Sequence, residues 1–235
     1  MFDRPAILDV RSIAFDFGGT LVRPTPAPQP ELITEICRRE MHGKLPAGFG
    51  AKLGRGMAQA KDAYRDRRSD TPLARVIAEA AGRGCMTEAQ IATCLARAWR
   101  MQQSECLLPG AAQALRALHA AGYRLVLASN TRRSESARRQ ALDRLEVESF
   151  FSGIVVSSAI GCAKPEPAFF KAVREATRGA PTLFVGDSFR RDVLGAARAG
   201  LAAIWVAPTP QPRLRHSFGI TDAVGRLPAL LGVES

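Results

Sequence analysis

Ile13-Ala14-Phe15-Asp16-Phe17-Gly18-Gly19-Thr20-Leu21 is the stretch on which the reading of this chain turns. Ile13 to Phe17 is apolar and aromatic and too short for a helix, so it predicts a central strand. Gly18 and Gly19 end that strand, because paired glycines tolerate backbone angles that other residues avoid. Asp16 is then a lone carboxylate where a buried strand breaks into a turn. Desolvating it is costly unless a metal or hydrogen-bond donors pair with it. In open parallel sheets the carboxyl ends of strands are where ligands bind, which makes Asp16 a candidate site residue. The plainer reading is an Asp that caps a turn.

Three further segments follow in a fixed order. Leu125-Val126-Leu127-Ala128-Ser129-Asn130 is an apolar strand ending in a hydroxyl and an amide. Lys164-Pro165-Glu166-Pro167 puts a lysine just before a helix start. Thr182-Leu183-Phe184-Val185-Gly186-Asp187-Ser188 is a third apolar strand ending in a carboxylate, with Asp192 five residues on. Taken singly, each has a plain structural reading: Ser129-Asn130 a turn, Lys164 a solvated loop lysine, Asp187 a helix cap. Taken together, the set resembles the four motifs of the haloacid dehalogenase superfamily of hydrolases. The run from Val185-Gly186-Asp187 through Asp192 to Gly200 is similar to the fourth of them. The resemblance extends from about residue 10 to residue 207 and is weakest between 23 and 106.

The resemblance implies a Mg²⁺-dependent hydrolase of a small phosphorylated metabolite, working through an aspartyl phosphate. Asp16 would be the nucleophile, splitting one hard displacement into two. Mg²⁺, which prefers oxygen ligands, would be held by Asp16, the backbone carbonyl of Gly18, Asp187 and Asp192. Ser129 and Asn130 would donate to the phosphoryl oxygens, with Gly19 and Thr20 beside the substrate, and Lys164 would neutralise charge on nucleophile and phosphate. Phosphoryl transfer rests mostly on such positioning and charge neutralisation.

One position departs from the family pattern. Phosphatases of the family carry a second Asp two residues after the nucleophile as general acid and base, and here that residue is Gly18. Positioned acid–base catalysis is worth ~10²–10⁴ in rate. Either the leaving group needs no proton, as in an acyl phosphate, or an acid comes from elsewhere, or the reaction is not ester hydrolysis. Haloacid dehalogenases lack the second Asp but also lack the carboxylate pair kept here as Asp187 and Asp192. Phosphonatase-like enzymes, which cleave a carbon–phosphorus bond, have a small residue there and use a lysine from an inserted domain. Lys44, Lys52 and Lys61 lie in that stretch, so a phosphonatase is the alternative, and a non-catalytic binding member is the third reading.

Composition is consistent with an intracellular globular enzyme. The 235 residues are 46% hydrophobic, with no 18-residue apolar run to span a membrane and no visible secretory signal. Five cysteines without a C-x-x-C pair predict reduced thiols in the cytoplasm. The net charge of +11 comes mainly from arginine, which supplies 28 of the 33 basic residues. Clusters at Arg38-Arg39, Arg65-Arg67-Arg68, Arg132-Arg133, Arg138-Arg139 and Arg190-Arg191 accompany no nucleic-acid-binding motif. They read as solvated surface, with a positive field that draws anionic substrates. Neither nucleic acid nor membrane is an expected partner.

The expected architecture is α/β: a Rossmann-like three-layer parallel-sheet core with a small all-helical cap domain. The core would comprise 1–22 and 107–235 and the cap 23–106, entered through the proline-rich run Arg23 to Pro30. Helices are predicted at 31–42, 50–68, 72–81 and 87–104 in the cap, Thr87 starting the last of them. Specificity is expected in the cap and its Arg-rich segment 55–68. In the core, helices and strands alternate as parallel sheets require. Strands are predicted at 123–128, 153–157, 182–186 and 202–206 and a final edge strand at 222–224. Helices are predicted at 111–121, 134–146, 166–178, 189–199 and 227–231, and residues 207–219 read as a loop.

Overall fold

Alternation along the strands sets the architecture. In β1 (Ser12–Phe15), Ile13 and Phe15 join one buried cluster and Ala14 another. In β2 (Arg124–Ser129) and β4 (Thr182–Gly186), Leu125, Leu127, Leu183 and Val185 join the first cluster, while Val126, Ala128 and Phe184 join the second. A sheet apolar on both faces must be covered on both, the condition of parallel sheets between helical layers. The computed structural model describes residues 9–24, 26–67, 71–102, 105–207, 218–221 and 223–233. In it six parallel strands run in the order β3-β2-β1-β4-β5-β6, with β3 at Phe151–Val156, β5 at Ala202–Val206 and β6 at Phe218–Thr221. One face is covered by α5 (Ala111–Ala120), α6 (Glu135–Arg144) and α10 (Leu227–Leu230), through Leu115, Leu118, Leu142 and Leu227. The other is covered by α8 (Pro167–Ala176) and α9 (Leu194–Arg198), through Phe169, Phe170, Val173 and Ala196. A single turn, α7 (Ser157–Ile160), follows β3.

Between β1 and α5 come four helices, α1 (Pro30–Glu40), α2 (Phe49–Arg67), α3 (Leu73–Ala81) and α4 (Glu88–Met101). Ile33, Cys37, Leu53, Ile77, Ile91 and Cys94 close a hydrophobic cluster of their own among these helices. The predicted start of α4 is a reciprocal cap: the Thr87 hydroxyl accepts from the Gln90 N–H, and the Gln90 side chain accepts from the Thr87 N–H. The two crossings of this insertion are tied together, Arg23 N–H donating to Cys106 O at 2.9 Å and Leu108 N–H to Leu21 O at 2.8 Å.

Two core elements differ from expectation. The edge strand at 222–224 forms earlier, as β6, which begins inside the predicted 207–219 loop. The proline-rich run gives way there to Phe218, Ile220 and Thr221, aromatic and β-branched residues that suit a strand. Residues 208–217 and Asp222 lie outside the described residues. The helix predicted at 189–199 begins with a wider, π-type turn, Phe189–Val193, whose cap is Ser188 rather than Asp187. Its width accompanies the inward turn of Asp192, whose carboxylate accepts the Ser188 N–H at 2.9 Å. No described helix is long and apolar enough to cross a membrane.

Candidate active site

Parallel strands bring their carboxyl ends to one edge of the sheet, and β1, β2 and β4 end there as neighbours. Asp16, just past β1, is fixed by its N–H to Val185 O at 2.8 Å. Lys164 is 1% exposed and reaches in from the loop before α8. Its Nζ lies 2.5 Å from Asp16 Oδ1, 2.9 Å from Asp192 Oδ1 and 2.9 Å from Ala128 O. Burial alone would pull this ammonium down, but the charges of Asp16 and Asp192 outweigh it and hold Lys164 above the ordinary lysine value. It is therefore a permanent cation.

Asp187 follows β4, with its carbonyl held by the Trp205 indole N–H at 2.8 Å. Burial, reinforced by the charges of Asp16 and Asp192, pushes Asp187 up to about 6. Its Oδ1 is buried without a hydrogen-bond partner. One ligand atom from each of Asp16, Asp187 and Asp192 lies within 4.8 Å of the others. Three carboxylates around one ammonium leave excess negative charge, and an orphaned buried carboxylate oxygen calls for a cation. An all-oxygen donor set suits a hard divalent ion such as Mg²⁺.

Small residues make this packing possible. A Cβ on Gly186 would come within 2.4 Å of Asp192 Cβ, so Asp192 can fold over β4 only where no side chain stands. A Cβ on Gly19 would lie 2.2 Å from Asp187 Oδ2, at a backbone φ of +89°. At Gly18, by contrast, a Cβ would meet nothing within 4 Å.

A cavity of about 330 Å³ opens over this centre, lined by Asp16, Gly18, Ser129, Asn130 and Lys164 among others. Asp187, Asp192, Gly19 and Thr20 do not line it, and Thr20 is fully buried with its hydroxyl unpartnered. Asn130 departs from its expected task. Its amide donates to Tyr64 Oη at 2.9 Å and to Lys164 O at 3.1 Å, while its Oδ1 accepts the Lys164 N–H at 2.9 Å. With both protons of the amide used, its side chain positions the lysine loop and has none left for a phosphoryl oxygen. Ser129, buried beside it, lines the cavity.

Lining or bordering residues that the sequence reading did not place at the site include Trp99, Glu105, Arg133, Arg138, Arg191 and, through Asn130, Tyr64. Arg133 and Arg138 were expected on solvated surface, yet they are 6% and 5% exposed, because both engage Glu105. One signal was available. On α6, Arg138 shares the buried stripe of Ala141 and Leu142, at three- and four-residue spacing, and an arginine on such a stripe needs a buried partner. From the segment 55–68, Tyr64 touches the site whereas Arg55 is exposed; the side chains of Arg65, Arg67 and Arg68 lie outside the described residues. A larger cavity, about 480 Å³, lies between α3, α4 and α6 and contains none of the carboxylates; Trp99 and Arg133 wall both.

A family model described as haloacid dehalogenase-like hydrolase matches residues 10–200. The chain belongs to the haloacid dehalogenase-like hydrolases. It is similar to a phosphoglycolate phosphatase of Cereibacter sphaeroides, 38% identical over 93 residues, covering 40% of this chain and 41% of that protein. A glyceraldehyde 3-phosphate phosphatase of Pyrococcus abyssi is 32% identical over 100 residues, covering 42% and 41%. The chain thus spans about two-fifths of the length of these curated relatives. Among solved structures, a HAD phosphatase from Thermococcus onnurineus superposes with a TM-score of 0.58 at 20% identity, covering 96% of this chain and 99% of that one. A 2-haloacid dehalogenase from Pseudomonas syringae gives 0.63 at 18%, covering 95% and 98%. At those identities the likeness shows a shared fold. In this haloacid dehalogenase-like hydrolase, Lys44, Lys52 and Lys61 are all exposed, and Lys164 is the lysine lining the cavity at Asp16.

Proposed function

We propose that this chain is a Mg²⁺-dependent hydrolase of small phosphate monoesters that works through an aspartyl phosphate on Asp16. The observation that carries this reading is the Asp16–Asp187–Asp192 trio, with Lys164 paired to Asp16 and Asp192 and the buried Oδ1 of Asp187 left without a partner. Phosphatase names among the relatives support it. Bound through Asp16, Asp187, Asp192 and the Gly18 carbonyl, Mg²⁺ would supply positive charge between nucleophile and phosphoryl oxygens.

Lys164 holds one oxygen of Asp16, which aims the carboxylate and leaves its other oxygen to attack phosphorus. The phosphorus–leaving-group bond breaks as the new Asp16–phosphorus bond forms, and the pair of electrons leaves on the departing oxygen. Lys164 and the Ser129 hydroxyl stabilise charge on the transferring group. Water then attacks the same phosphorus, releasing phosphate and restoring the Asp16 carboxylate. Gly18 offers no proton to the departing oxygen, so leaving groups stable as anions are favoured over alkoxides. The phosphonatase alternative requires a desolvated lysine from the insertion, and the exposure of Lys44, Lys52 and Lys61 disfavours it.

Phosphate release from acetyl phosphate and p-nitrophenyl phosphate, with and without Mg²⁺, tests the proposal beside an Asp16→Asn control. Metal-dependent release that disappears in the control is the expected result. Release equal in the control removes Asp16 from the chemistry, and no release at all overturns the general phosphatase reading and leaves a phosphonatase, a very selective enzyme or a binding protein.

A further inference from the structure

The cavity at Asp16 contains a second charged group that the phosphoryl chemistry does not use. Arg133, on the loop after β2, and Arg138, on α6, share the single carboxylate of Glu105, each at 3.0 Å. The two guanidiniums are 5% exposed and the carboxylate 10%. Two cations on one anion leave a positive charge in a low-dielectric setting. Arg133 lies over the Trp99 ring at 3.6 Å and Arg138 over the Phe17 ring at 3.9 Å. The aromatic faces offset part of that charge but accept no ordinary hydrogen bond. Arg138 gives one Nη to Glu105 and the other to Thr131 Oγ1, while its Nε–H is buried with no acceptor. Burial and the charge of Arg133 lower Arg138 to about 10, so it remains a cation at neutral pH. A buried, charged donor without an acceptor is costly as it stands and strong once an oxyanion meets it.

The geometry points to a second anion subsite, in which Arg138 and Arg133 receive the non-transferring carboxylate of the substrate. This deepens the reading above and rests on it: the phosphate monoesters turned over are small phosphorylated carboxylic acids. The stack of Arg138 on Phe17 places the subsite one residue from the nucleophile, which suits an acid with a short carbon backbone. A planar carboxylate matches the fork of a guanidinium and makes the local charge two against two beside Glu105. Phosphoglycolate, named for the Cereibacter sphaeroides relative, belongs to this class.

2-Phosphoglycolate and 2-hydroxyethyl phosphate differ in a carboxylate against a hydroxymethyl group and provide the probe pair. In the Asp16→Asn protein with Mg²⁺, calorimetry should show the carboxylate compound binding at least tenfold more tightly, a result readable whether or not the wild type turns over. In Arg138→Met, combined with Asp16→Asn, that ratio should fall toward one. Equal affinities in Asp16→Asn overturn the subsite without any arginine variant, so misfolding of Arg138→Met cannot rescue it. An unchanged ratio in a folded Arg138→Met protein overturns the role of Arg138. Failure of the phosphatase reading looks different: no Mg²⁺-dependent phosphate release from acetyl phosphate or from either probe.

Discussion

Gly18 and Gly19 are neighbours under different constraints. Gly18 has open space where a Cβ would stand, so Gly18→Asp meets no steric bar to folding. If the missing acid limits the reaction, Gly18→Asp should raise kcat for alkyl phosphates, by up to ~10²-fold, and change acetyl phosphate little. Steady-state rates on both substrates decide this, and no gain in a folded variant would show that another group already handles the proton. Gly19→Ala should instead displace the Asp187 carboxylate and strain a left-handed backbone. The expected result is weaker Mg²⁺ binding by at least tenfold, measured by calorimetry. Asp16 and Asp187 are legible as charges at the ends of apolar strands, and Lys164 and Asp192 through their place in the ordered set of four motifs. Arg133 and Arg138 are not, because a pair of arginines in a polar-looking segment reads as surface until the partner Glu105, 28 and 33 positions earlier, is seen beside them.

Elements were more legible where local chemistry decides them. The insertion's helices fall within a few residues of expectation, since amphipathic spacing and caps act over a single turn. Thr87→Ala removes the hydroxyl half of the α4 cap and should cost about 1 kcal/mol, read as a lower urea midpoint with unchanged slope. The turn at Phe189–Val193 was not legible, because its width is bound up with a tertiary demand: Asp192 must return over Gly186 to reach Lys164. β6 was misplaced for a related reason. Its pairing with β5 is long-range, and Ala203 opposite Phe218 is a register that no local pattern specifies.

At the scale of the molecule, the acidic centre couples stability to pH and to metal. Asp187 is raised from 3.8 to about 6 in the folded chain. A carboxyl raised on folding favours the native state while protonated, so without metal that contribution is lost as pH climbs from about 4 through 6. Metal requires the ionised carboxylate and reverses the trend. Mg²⁺ at about 100 times its Kd should add about 2.7 kcal/mol near pH 7.5. That corresponds to a rise of about 5–10 °C in Tm for a chain of this size. Near pH 5 the rise should be much smaller, and a pH-independent shift would remove Asp187 from the metal site. The paired crossings of the insertion at Arg23–Cys106 and Leu21–Leu108 have a further consequence. Along the backbone the core meets everything between them, as a graft, at a single stem, while Tyr64, Trp99 and Glu105 reach back to Asn130, Arg133 and Arg138. The length of the graft can diverge at little entropic cost to the sheet, because closure is already paid at the stem and grows only slowly with loop length. Changes of length in the graft away from Tyr64, Trp99 and Glu105 therefore leave Asp16, Lys164 and the carboxylates in register.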